Sequence, residues 1–361
     1  MSIQENKKKA NVENRITTAI FMAILAAALY GVSSPMSKLL LVEIPPTFLA
    51  ALLYLGAGLG MGTINIIRKQ SKKELVEAKI TKKEMPYVVG MIVLDVIAPI
   101  LLMLGLTMTT SASVSLLNNF EIVATSLIAL FIFKEAIGKR MWIAITFITL
   151  STILLSVDDF SALSFSTGSF LVVAACFCWG LENNCTRMLS LKDPLQIVVI
   201  KGLGSGLSAL LISFVLNLMS GDAFYIALAL LLGFFAYGLS IYFYILAQRE
   251  LGASRTSAYY AAAPFIGVLI SWLVLKEEIT ITFLIALAVM LIGAYFAISE
   301  KHRHVHIHPE ITHEHRHNHT DMHHNHIHDP EVIGEHSHEH THEKIEHEHT
   351  HVPDLHHRHT H

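Results

Sequence analysis

"LIALFIFKEAIGKRMWIAITFITLSTILLS", residues 127–156, decides how this chain is built. It reads as an apolar helix, a Lys-Glu turn and a second apolar helix. The same order returns at 269–299 as "LISWLVLKEEITITFLIALAVMLIGAYFAIS", so that Lys134-Glu135 aligns with Lys276-Glu277. The likeness continues upstream. "TSASVS" (110–115) falls against "GASRTS" (252–257), and "LYGVSSPMSKLL" (29–40) against "CWGLENNCTRML" (178–189), with Gly31 opposite Gly180. "GAGLGMG" (56–62) falls against "GLGSG" (202–206). Self-similarity at a fixed spacing marks a duplicated structural unit.

The unit is made of membrane spans. Hydrophobic residues make up 53% of the chain, charged residues 15%, and the mean hydropathy is +0.51, which excludes an ordinary soluble protein. Apolar runs of about 20 residues are the length a helix needs to cross a bilayer. Such runs lie near 16–37, 46–67, 85–106, 109–133, 140–157, 166–188, 194–218, 223–247, 252–275 and 279–299. The polar, basic start "MSIQENKKKANVENR" precedes a run too long for a signal-peptide core, so the first run reads as a retained span. Lysine and arginine collect on the cytoplasmic side of membranes. With the N-terminus inside, that side takes Lys7, Lys8, Lys9, Arg15, Arg68, Lys69, Lys72, Lys73, Lys79, Lys82, Lys83, Lys134, Lys139, Arg140, Arg187, Lys192, Arg249 and Arg255, while the outer side takes only Lys38 and Lys276. Both termini are therefore expected in the cytoplasm, in the cell (inner) membrane. Five spans per half is an odd number, so the halves have opposite orientations. Inverted repeats are a transporter architecture, with the substrate site near the midplane where the halves meet.

The Tyr-Gly and Trp-Gly of spans 1 and 6, the "AAPFIGVLISWLVLKEE" run of span 9 and the paired Lys-Glu turns resemble the drug/metabolite transporter superfamily, specifically its ten-span EamA-type members. The resemblance covers residues 16–299. It implies an all-α membrane protein and a secondary transporter that moves small metabolites or xenobiotics, commonly outward. Spans 1–4 and 6–9 would line a cavity, with spans 5 and 10 peripheral. The expected organisation is a cytoplasmic N-terminus (1–15), repeat 1 (16–157), repeat 2 (158–300) and a tail (301–361). Family repeats often carry proline in spans 4 and 9. Pro264 fits, but Ile122 stands at the equivalent place in the first half, directly after Glu121.

Charged residues inside a membrane are costly and usually face a cavity or a partner. On a helical wheel of span 4, Ser111, Ser115, Asn118, Glu121 and Thr125 form a polar stripe with Asn119 at its edge. In span 6, Cys178, Glu182, Cys185 and Thr186 share a face, with Asn183 at its edge. Asp95 is a third mid-span carboxylate, and Glu121 and Glu182 are expected to approach one shared cavity. A carboxylate shielded from water can hold a proton near neutral pH, which suits proton-coupled exchange. Carboxylates with amide oxygens suit a cationic substrate equally well, and Cys178 and Cys185 add a weaker possibility of a thiophilic metal. Lys201, at the start of span 7, is expected to snorkel to the cytoplasmic face, with a substrate carboxylate as the lesser reading. "GLGSG" follows no strand and reads as helix packing, not as a nucleotide loop.

All 23 histidines lie at 302–361. They alternate: His302, His304, His306, His308; His313, His315, His317, His319; His323, His324, His326, His328; His336, His338, His340, His342; His347, His349, His351, and a last group from His356. Few large apolar residues and many charges predict a segment disordered when free. Neutral imidazoles in His-x-His units suit Zn, Ni, Co or Cu, so a transition metal is expected to bind the tail. No other cofactor is called for. The partners implied are the bilayer, a small-molecule or cationic substrate and transition-metal ions; nucleic acid is not among them, and oligomeric state is open. The functions in contention are a secondary exporter regulated or fed by the tail, a Ni/Co/Zn efflux carrier, and a membrane-anchored metal store or sensor. An enzyme is excluded by the lack of histidine and of a nucleophile–base pair in the membrane part.

Overall fold

A helix satisfies all its backbone hydrogen bonds internally, which is what crossing lipid requires. The computed structural model describes residues 3–70, 80–133, 137–159, 164–189, 192–251, 256, 259–299, 302–308, 311–317, 336–342 and 345–351. Among the described residues, eight helices are long and apolar enough to cross a membrane. They are spans 1 (Ile16–Leu40), 2 (Pro46–Gln70), 3 (Lys82–Met108), 4 (Ser111–Ile132), 5 (Lys139–Ser156), 7 (Pro194–Val215), 8 (Ala223–Ala247) and 10 (Ile281–Ile298). Span 6 (Thr167–Arg187) has the length, but its last turns carry Glu182, Asn183 and Asn184. The regular part of span 9, Ala263–Leu275, is a shorter apolar helix. The two helices that fall short of the hydropathy pattern both pack against span 4, where the polar residues gather.

The spans pair as an inverted repeat demands. Spans 2 and 7, 4 and 9, and 5 and 10 pack on their own counterparts. The contact of span 3 with span 6 is matched by span 8 with span 1, that of span 4 with span 6 by span 9 with span 1, and that of span 3 with span 7 by span 8 with span 2. The aligned glycines mark equivalent crossings. A Cβ on Gly180 would lie 2.7 Å from the Ala124 Cβ, and one on Gly31 would lie 2.6 Å from the Ala263 carbonyl oxygen. Gly58 and Gly202 face each other backbone to backbone, a Cβ on Gly202 falling 2.4 Å from the Gly58 nitrogen. Small residues permit this closeness, and packing replaces the hydrophobic effect as the force between helices in lipid.

Span 4 is not the continuous helix that the wheel assumed. Ser111–Leu117 and Phe120–Phe133 are separate helices joined at Asn118–Asn119. There the bonds tighten: the amides of Asn119, Glu121 and Ile122 donate to the carbonyls three residues back. The Asn119 side chain also donates to the Leu116 carbonyl at 3.4 Å, an instance of a short amide competing with the helix ladder. Span 9 breaks in the equivalent place, with a turn at 261–262 and Pro264 in the first turn of the next helix, where proline needs no amide. Span 1 breaks at Val32.

The ends differ in charge. At the basic end Arg68 of span 2 pairs with Asp193, which caps span 7, and Lys192 lies 3.5 Å from Glu84. At the far end Glu277 caps the first helix of span 4, accepting from the amides of Ser111 (2.8 Å) and Ala112 (2.9 Å) and from the Ser111 hydroxyl (3.0 Å). Lys38 donates there to the carbonyls of Leu106 and Thr109, at the C-terminus of span 3. Spans 1, 4 and 9 thus meet at the far end. Toward the basic end the second helix of span 4 packs on spans 5 and 6, and span 1 packs on span 8.

Strands are brief in the membrane part: Val157–Asp159 pairs with Ser164–Phe165 between the halves. In the tail, His302–His308 pairs antiparallel with Ile345–His351, and Ile311–His317 with His336–His342. This departs from the unstructured segment that composition predicts. Strict alternation is also a strand pattern, and the register sets His304 opposite His349 and His313 opposite His340. His319, His323, His324, His326 and His328 lie outside the described residues, as do Lys134 and Glu135.

Candidate functional site

Consecutive residues on span 6 look in different directions, because each step turns a helix by about 100°. Glu182 is 1% exposed and faces spans 3 and 7. The Lys201 ammonium bridges it to Asp95, with Nζ 3.1 Å from Glu182 Oε1 and 3.1 Å from Asp95 Oδ2. Thr186, one turn along span 6, donates to Glu182, and the Tyr54 hydroxyl of span 2 donates to Asp95 Oδ1 at 2.9 Å. Four spans are thereby tied around one ammonium. Lys201 therefore does not snorkel. Two carboxylates within 3.1 Å hold it inside the bundle, and that attraction outweighs the reach of its stem to the interface.

Asn183 faces the other way, toward span 4. Its amide nitrogen donates to Glu121 Oε1 at 2.6 Å and to the Thr125 hydroxyl at 3.2 Å. Asn184 folds back onto the Gly180 carbonyl at 2.8 Å and reaches the Thr125 carbonyl at 3.3 Å. Glu121 and Glu182 thus hold different hydrogen-bonding partners.

The stripe read along span 4 is divided by its break. Ser111 bonds Ser271 of span 9 at 2.8 Å, and Ser115 sits where Gly267 leaves room. Glu121 and Thr125 instead accept from Asn183 of span 6. Asn118, at the junction, is 8% exposed and its Oδ1 has no hydrogen-bond partner. A buried acceptor left open is costly and calls for an explanation.

Tyrosines complete the interior. Tyr30 lies edge-on to Tyr237 (6.0 Å between centroids) and tilted on Tyr260 (5.8 Å); Tyr237 meets Tyr54 at 5.4 Å, and Tyr260 meets Tyr244 at 4.9 Å. Ser33 donates to the Tyr237 hydroxyl at 3.0 Å. The rings come from spans 1, 2, 8 and 9. Through Tyr54 they connect to Asp95.

An inverted repeat whose spans 4 and 9 are both broken, with carboxylates and tyrosines between the halves, matches a known family. The EamA-like transporter family profile fits the chain twice, over residues 17–157 and 166–299. The chain belongs to the EamA-like transporter family. A protein of Methanothermobacter thermautotrophicus described as an uncharacterized transporter is similar to it, with 29% identity over 286 residues, 75% of this chain and 83% of that protein. A crystal structure of a protein at 16% identity has a TM-score of 0.56 and covers 77% of this chain and 95% of that one; this likeness concerns the fold alone. The chain is thus a multi-pass membrane transporter.

In this EamA-like transporter the acids and amides stood out in the sequence, while the tyrosines did not. Their signal was available: Tyr30, Tyr54, Tyr237 and Tyr260 lie well inside apolar runs, away from the interfacial belts that aromatic residues favour. Cys178 and Cys185 are half-buried and Cys176 is buried. Among the described residues no group of three or more His, Cys, Asp or Glu is placed to hold a metal ion, because Glu182 turns to Lys201 instead of to a pair of thiols. A cavity of about 240 Å³ lies elsewhere, between Phe120, Thr149, Thr152 and Phe170 of spans 4, 5 and 6, and none of the site carboxylates lines it.

Proposed function

We propose that this transporter is a secondary exporter of a small metabolite or cation, and that it exchanges the substrate for protons at the interior acids. The single observation that carries the reading is the buried, discontinuous polar site between the two halves, at the breaks of spans 4 and 9. Broken helices in inverted-repeat transporters expose backbone and polar side chains to the substrate near the midplane. Among the described residues of the site, the carboxylates of Asp95, Glu121 and Glu182 outnumber the ammonium of Lys201. A buried excess of negative charge is costly. A proton or a cation entering the site relieves it, which supports coupling. On this reading the basic end is cytoplasmic, the membrane is the cell membrane, and substrate enters from the basic end. The tail lies inside and binds Zn, Ni, Co or Cu, which regulates or feeds transport; metal ions as the cargo are the second reading, favoured by the His-x-His pattern alone.

Reconstitution in proteoliposomes with a metabolite, Ni, Co and Zn panel tests this. A substrate that moves down a pH gradient is expected, with flux lost on adding an uncoupler and reduced at least about tenfold in Glu121→Gln, in line with loss of a charge-assisted hydrogen bond. Flux indifferent to the uncoupler would remove proton coupling, and metal flux dependent on residues 301–361 would favour the second reading.

A further inference from the structure

We infer that the cargo is an organic amine in its ammonium form, bound at Asn118 and Glu121 among the tyrosines; this deepens the transport reading and rests on it. The reasoning is a count of donors and acceptors. Asn118 Oδ1 is buried with no donor. Asn183 supplies Glu121 with a hydrogen bond at one oxygen, Oε1. The open positions here are acceptors, and what fills them is a donor. An ammonium brings three N–H donors and a compact positive charge, whereas a carboxylate brings none.

An anionic or zwitterionic cargo needs a cation of its own in the site. The Lys201 ammonium is already held between two carboxylates, Asp95 and Glu182, at 3.1 Å from each. The site therefore offers negative charge to a ligand and withholds positive charge. The tyrosine rings agree with this. Tyr30 and Tyr260 pack on each other with centroids 5.8 Å apart, and ring faces attract a desolvated cation. The same rings accommodate an apolar body attached to the ammonium. A bare metal ion fits less well, since among the described residues no three ligating side chains converge.

Matched probes test the assignment on the purified full-length protein. 2-Phenylethylamine, 2-phenylethanol, 3-phenylpropionate and zwitterionic phenylalanine share a ring and differ in charge. Binding is read by calorimetry and by the rise in melting temperature that a ligand specific to the folded state produces. The amine is expected to bind at least about tenfold more tightly than the other three, and Glu121→Gln and Asn118→Leu are each expected to weaken it about tenfold or more. Tighter binding of the anion or zwitterion, equal binding by Glu121→Gln, or no binding of the amine to the wild type would overturn it. Counterflow in proteoliposomes separates the two levels. Flux of a neutral or anionic metabolite without amine binding sinks this inference and leaves the transport reading; amine binding without flux of any substrate does the reverse.

Discussion

Lys201→Met is expected to cost about 3–5 kcal/mol of stability, the range found when one partner of a buried ion pair is removed. The ammonium lies between Asp95, buried at 1% exposure, and Glu182, likewise 1% exposed. Without it two carboxylates face each other across spans 3 and 6, with only the hydroxyls of Tyr54 and Thr186 to support them. Methionine keeps the length of the stem, so the loss is of charge and not of packing. The triple variant Asp95→Asn, Lys201→Met, Glu182→Gln removes the charges together, and it is expected to recover most of the lost melting temperature. Transport is expected to be reduced in it, because Glu121 is the one of the three site carboxylates that remains. Thermal unfolding in detergent, followed by flux in liposomes, checks both parts. A single variant as stable as the wild type would show that Lys201 does not hold these spans.

Gly233→Leu is expected to leave no folded protein. A Cβ at Gly233 would fall 2.0 Å from the Leu53 carbonyl oxygen, and a Cβ at Gly56 would fall 2.0 Å from the Leu230 carbonyl oxygen. The two glycines are the reciprocal contacts of one crossing between spans 2 and 8. The obstacle in each case is backbone, which cannot rotate aside as a side chain can. Separating the helices would also disturb Tyr54 and Tyr237, whose rings meet across the same interface. Overpacking a core commonly costs about 1–3 kcal/mol, and here the whole helix must move, so the cost lies at or beyond the upper end. Gly62→Ala is the control: a Cβ there meets nothing within 4 Å, and stability is expected to be kept. Size-exclusion profiles and melting temperatures of the two variants distinguish this account from a general intolerance of span 2 and span 8 to change.

The architecture was legible because lipid leaves a chain few choices. Apolar length gives the spans, and an alignment anchored on Lys134-Glu135 and Lys276-Glu277 gives the repeat. Gly31 and Gly180 could be paired from sequence because both sit where a neighbouring helix touches backbone. The site was legible only in part. A wheel finds which residues share a face, but it assumes an unbroken helix, and the turn at Asn118–Asn119 divides the stripe between spans 9 and 6. From sequence Lys201 reads as a snorkelling residue, because its position near a basic end says nothing of Asp95 and Glu182 arriving from other spans. Likewise Glu182 and Asn183 look alike in sequence, yet one turn of 100° sends them to separate partners. The tyrosines were passed over because they are ordinary in an apolar run; only the packing of spans 1, 2, 8 and 9 makes them a group.

The central claim is that cargo reaches the junction of span 4 between the halves. Thr125 lies one turn beyond Glu121 and is partly exposed inside the bundle. The direct measurement places a single cysteine there, Thr125→Cys, with Cys176, Cys178 and Cys185 replaced by alanine. A membrane-impermeant thiol reagent is then applied from each side of oriented vesicles. Labelling from the basic-end side, slowed severalfold by a transported substrate, is the result this account predicts. A cysteine that labels from neither side, or at a rate no substrate changes, would contradict it.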